Sequence, residues 1–147
     1  MKVEIKIDGN FKEPKVVIYT DKITDEINAL VGKISEENSF DLIAGFKDEK
    51  VKLLELKNIF RIYTESGKVF ANTSSGNYAL RLRLYEIEER LENTSFVRIS
   101  NSEIINLKKV KDFDMSFTGT ICVTLLNGDI TYVSRRNVSK IKEKLGI

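Results

Sequence analysis

From residue 42 onward the chain is a succession of short runs, 42–46, 51–56, 59–64, 69–73 and 78–84, each rich in β-branched, aromatic or leucine residues. Turn signals such as Ser66-Gly67 and Ser75-Gly76-Asn77 separate them, and strands at such regular spacing predict an all-β module. One stretch changes period. Leu84, Ile87 and Leu91 stand at i, i+3 and i+7, with Glu86, Glu88, Glu89, Arg90 and Glu92 around them, which predicts a helix with an acidic outer face. Beyond Asn93-Thr94-Ser95 the pattern predicts strands at 96–99, 110–116, 120–126 and 130–133, with a turn or single helical turn over 100–105. Asn127-Gly128 predicts a type I′ hairpin, because both residue types tolerate positive φ. Ser134 is placed to N-cap a final helix that buries Val138, Ile141 and Leu145 and leaves Lys140, Lys142 and Lys144 outside.

Residues 1–45 read differently, as strand, strand, helix. Val3, Ile5 and Ile7 alternate with charged residues, a turn holding the only proline follows, and residues 16–19 form a second β-rich run. Capping chemistry at Thr24-Asp25-Glu26 then opens a helix with Ile27, Leu30, Val31 and Ile34 at helical spacing, ending at the polar stop SEENS, residues 35–39. The domain organisation expected is a β-β-α extension over residues 1–45 and a mainly β (α+β) domain over 46–147.

Charge separates these regions. Residues 1–45 hold six Lys/Arg against nine Asp/Glu, residues 46–93 nine against eight, and residues 94–147 nine against five. The basic excess gathers at the C-terminal end, as a phosphate-facing surface requires, although a solvated face has the same composition. No run reaches the roughly 18 apolar residues of a membrane span, and the start lacks a secretory hydrophobic core, so a cytoplasmic protein is expected.

Little points to catalysis. The chain has no histidine and a single cysteine, Cys122, inside the apolar run Ile121-Cys122-Val123, where a buried structural thiol is the reading. A thiolate zinc site is excluded on that count, and no phosphate-binding glycine loop or nucleophile elbow is present. Neither an enzyme nor a cofactor is expected.

Two segments carry a recognisable order: FVRISNSEIINL at 96–107, then LLNGDITYVSRRNVSKIKEKLGI at 125–147. Arg98-Ile99, two polar residues, Ser102, a hydrophobic pair with Asn106, then a strand, an Asn-Gly hairpin and Val-Ser-Arg-Arg together resemble the LytTR family of bacterial transcription regulators. The resemblance runs from about Asp48 to the C-terminus. It implies an elongated, multi-stranded β domain with short helices that binds double-stranded DNA through loops entering successive major grooves, without a recognition helix. It also implies binding at direct repeats with bending, two copies per site, and a monomer or weak dimer in solution. The 45 residues ahead are too few for a receiver domain, so a stand-alone regulator is expected. Stand-alone members pair with a restraining membrane protein, which gives the acidic extension a role as the contact for such an inhibitor.

Carried over position by position, the resemblance makes Arg136 the first base contact, since a guanidinium can bond guanine O6 and N7 together. Arg135 then contacts phosphate or packs. Asn101 occupies the family's base-contacting turn, where an amide can serve an adenine edge; many members have histidine and a basic residue there, and this chain has Ser100-Asn101, which leaves base preference open. Lys68, at a hairpin tip, completes the trio. Arg98, Ser102 and Lys140 are candidate phosphate contacts, and Asn106 is read as structural. The rival reading is a cytoplasmic protein-interaction module that uses a sheet edge and leaves the basic C-terminus merely solvated.

Overall fold

The computed structural model describes residues 1–36 and 41–147. They fall into compact units of residues 1–39 and 40–147. In the first, helix α1 (Asp25–Glu36) starts where expected, with Thr24 Oγ1 accepting the Ile27 N–H at 3.3 Å. The polar stop that should end it lies, from residue 37, outside the described residues. The two strands expected at 3–7 and 16–19 are absent, and the first strand of the described chain begins at Leu42. Only a tight turn forms between them, Asp8 accepting the N–H groups of Asn10 and Phe11. Val3, Ile5, Ile7, Val16 and Val17 are all exposed, and a two-stranded ribbon that buries no apolar face is marginal in water.

The second unit holds ten antiparallel strands. A seven-stranded sheet is built from β1 (Leu42–Lys47), β2 (Lys50–Glu55), β3 (Ile59–Glu65), β4 (Lys68–Thr73), β5 (Gly76–Leu80), β6 (Phe96–Ser100) and β7 (Glu103–Asn106), in the order β2-β1-β5-β4-β3-β7-β6. A smaller sheet, order β10-β9-β8, contains β8 (Val110–Asp114), β9 (Ile121–Leu125) and β10 (Ile130–Val133). Because β1 pairs along its whole length with β2, the sheet domain begins ahead of β1 and not within it at residue 46. Helices α2 (Leu84–Arg90) and α3 (Val138–Leu145) cover it.

Two cores result. Leu84, Ile87 and Leu91, the predicted helical face, pack with Ile43, Ile59, Ile62, Phe96 and Ile104. On the opposite face Phe60, Val97, Ile99 and Ile105 pack with Ile121, Val123, Leu125 and Val133 of the small sheet and Ile141 of α3. Strand β7 lies between the two cores with all four residues buried, which corrects the turn expected over 100–105. Being covered on both faces, it has no polar alternation to announce it. Its last residue, Asn106, is buried and spans three elements: Nδ2 donates to the Ile59 carbonyl at 3.0 Å, while Oδ1 accepts from Ser95 Oγ and the Lys108 N–H.

Two turns differ in kind. Ser66 and Gly67 both have positive φ (51° and 76°), the type I′ geometry that joins Glu65 directly to Lys68. At Asn127-Gly128 only Gly128 does; its N–H bonds the Leu125 carbonyl and the Leu125 N–H bonds the Asp129 carbonyl, closing a three-residue loop rather than the expected type I′ turn. The Asn127 side chain explains the choice, since Oδ1 accepts the Asp129 N–H and Nδ2 reaches Asn72 Oδ1 at 2.9 Å, tying the tip to β4.

Candidate nucleic-acid interface

Antiparallel pairing decides where the candidate residues meet. Tyr63 of β3 stands opposite Glu103 of β7, so the β3–β4 hairpin and the β6–β7 turn lie at the same end of the large sheet, and the Thr64 N–H bonds the Ser102 carbonyl at 2.8 Å. A bulge in β6 lies between Arg98 and Ser100. Such an interruption leaves the extra residue's backbone unpaired within the ladder, and here the Ile99 carbonyl accepts the Ser134 N–H at 2.8 Å. That bond brings the end of β10 to the β6–β7 turn. Ser134 does not cap α3 as expected: its carbonyl accepts the Asn137 N–H and its hydroxyl the Asn137 side-chain amide, closing a 3-10 turn, Arg135–Asn137, ahead of the helix.

Arg136 and Asn101 emerge from this joint in direct contact, Arg136 Nη2 donating to Asn101 Oδ1 at 2.6 Å, and both are exposed. Asn101 keeps both Nδ2 donors and a second lone pair on Oδ1, and the remaining guanidinium N–H groups are donors. The pair therefore offers a ligand mainly donors. Lys68 is exposed at the same end, directly after the Ser66-Gly67 turn. Arg135 turns elsewhere, its Nε 3.5 Å from where a side chain on Gly119 would begin. Ser102 is exposed, and its N–H bonds Ser100 Oγ at 3.2 Å.

The remaining two candidates point to α2. Arg98 donates to Glu88 Oε2 at 2.6 Å and to the carbonyls of Ser100 and Asn101, while Lys140 Nζ lies 3.9 Å from Glu88 Oε1. Glu88, read from sequence as solvated helix surface, is thus the common anion for two basic side chains.

A second group was not visible in the sequence. Glu103, 6% exposed, bonds Arg61 across the sheet and Thr131 of β10, and Arg61 stacks over Tyr63 with 4.4 Å between guanidinium carbon and ring centre. A charged residue in a strand buried on both faces must be paired, but its partner lies 42 residues away. Burial raises the Tyr63 phenol pKa against the opposing pull of Arg61, so the hydroxyl stays neutral at physiological pH. Among the described residues no group of His, Cys, Asp and Glu could hold a metal ion, and no helix is long and apolar enough to cross a membrane.

Loops between strands thus present polar side chains together at one end of the large sheet. The model of the LytTr DNA-binding domain matches residues 49–146, and the chain belongs to that family. It is similar over its whole length to two uncharacterized HTH-type transcriptional regulators of Staphylococcus aureus, from strains NCTC 8325 / PS 47 and bovine RF122/ET3-1, each 29% identical and covered to 99%. Among solved structures it shares the fold of the LytTr DNA-binding domain of a protein described as a methyl-accepting/DNA response regulator from Bacillus cereus, with a TM-score of 0.71 and 19% identity, covering 74% of this chain and 100% of that one. Despite the relatives' label, α1, α2 and α3 are separated by strands, and no two of them form a helix-turn-helix.

Proposed function

We propose that the protein is a sequence-specific transcription regulator that reads major-groove base edges with Asn101 and Arg136 as one unit, Lys68 adding a contact from the neighbouring hairpin, at direct repeats that take two copies. The observation that carries this reading is the 2.6 Å bond between two exposed side chains 35 residues apart in sequence. The free N–H groups of Arg136 match guanine, whose major-groove edge offers the acceptors N7 and O6, while Asn101 keeps both donor and acceptor capacity. Helix α2 does not compete for the groove, because its face away from the core is acidic.

Selection of bound sequences from a random duplex pool, followed by the Arg136→Ala variant, tests this. Enrichment of a repeated guanine-containing element is expected, with Arg136→Ala weakening binding to it by about 1–3 kcal/mol and abolishing discrimination at one base pair while the fold is unchanged. A small, uniform loss on every sequence would reassign Arg136 to phosphate. Failure to enrich any sequence, with affinity indifferent to salt, would favour the protein-interaction module instead.

A further inference from the structure

We propose that Arg98 is a positioning residue, not a phosphate contact: it clamps the β6–β7 turn so that Asn101 meets Arg136, and Glu88 of α2 holds the clamp in place. This rests on the reading of Asn101 and Arg136 as the base-contacting pair. Three nitrogens of one guanidinium are committed. Nε donates to the Ser100 carbonyl at 2.7 Å, Nη2 to the Asn101 carbonyl at 2.6 Å, and Nη1 to Glu88 Oε2 at 2.6 Å. Ser100 and Asn101 span the start of the turn, so fixing both carbonyls fixes the two peptide planes that flank the Asn101 Cα and with them the direction of its side chain.

Strand register aims Arg98 this way. It stands opposite Ile104, whose side chain packs in the core beneath α2, so Arg98 leaves the sheet on the α2 side, and its side chain is only 19% exposed. Swinging the guanidinium out to a phosphate would break the Glu88 bond and free two carbonyls at once. A planar, five-donor guanidinium can span three acceptors in fixed directions; an ammonium of the same charge cannot. Charge and positioning therefore separate experimentally.

The test compares Arg98→Lys and Glu88→Gln with the unaltered protein on two duplexes, the element recovered by selection and a shuffled duplex of the same length. Arg98→Lys should bind the selected element about tenfold more weakly, about 1.4 kcal/mol by the affinity relation, with affinity for the shuffled duplex and the salt slope unchanged. A phosphate contact would survive in a lysine of the same charge, leaving both duplexes bound as before with the same salt slope, and that outcome, like an equal loss on both duplexes, would overturn the proposal. Combined with Asn101→Ala, Arg98→Lys should cost nothing further, since both act through one side chain; additive losses would also overturn it. Should Arg98→Lys fail to fold, Glu88→Gln supplies the same readout at smaller amplitude, whereas simple removal of a negative charge near DNA would tighten both duplexes. The NMR signals of the Asn101 side-chain amide give an arm without DNA: a single dispersed pair in the unaltered protein that averages in either variant. If selection recovers nothing, the base-reading function fails while this arm still decides whether the clamp exists.

Discussion

Residues 2–7 and residues 59–65 carry comparable mixtures of β-branched and charged side chains, yet one forms no strand and the other is an interior strand of the large sheet. Val3, Ile5 and Ile7 are 81%, 88% and 98% exposed, whereas Ile59 and Ile62 are fully buried. The difference is supply of partners: β3 has β4 on one edge, β7 on the other, α2 over one face and the small sheet beneath the other. Alternation marks a segment able to be a strand. Neighbours that bury its face and occupy its backbone donors make it one, and they are specified elsewhere in the chain.

The sharpest way to break this comparison is in the sheet itself. Ile62→Ala should cost about 2–4 kcal/mol in urea unfolding, because the cavity lies under α2 where little can collapse; a loss below about 1 kcal/mol would mean that the core is looser than its burial indicates. Next comes Asn106→Ala, which strands the Ile59 carbonyl and the Ser95 and Lys108 donors. An unfolding loss of about 1–3 kcal/mol is expected, as for other buried groups deprived of a partner, and an unchanged midpoint would show that water replaces the amide. The smallest effects belong to the extension. Ile5→Ala should stay within about 0.5 kcal/mol of the unaltered protein, and removing residues 1–40 should leave DNA affinity measurable in a mobility-shift assay. A truncated protein that folds well and binds no DNA would place part of the interface in the acidic segment.

The sequence announced most of the sheet because its strands are half-buried. Ser66-Gly67 and the Leu84, Ile87, Leu91 stripe were legible for the same reason: each is a local rule satisfied by adjacent residues. Strand β7 was hidden because both its faces are covered, and the Asn127-Gly128 loop changed type because the Asn127 side chain bonds Asp129 and a strand 55 residues away. For the candidate site the limit was finer. Asn101 and Arg136 could be picked out by resemblance, but that they touch depends on the β6 bulge and the Ser134 bond, which no spacing encodes. Arg98 and Lys140 read as phosphate contacts, since a lone basic residue does not reveal which carboxylate faces it, and Glu88 belongs to a helix whose outward face looks acidic.

Strand order has a consequence in time. The chain emerges from the ribosome N-terminus first, at about 5–20 residues per second, and β1 to β5 can pair with one another as soon as they appear. The neighbour that closes the far edge of β3 is β7, which begins only at Glu103. Until then a row of unpaired amides flanked by Phe60 and Ile62 stands open to any passing strand. For several seconds of each synthesis, the protection of this sheet against mispairing falls to whatever cellular factor meets the nascent chain.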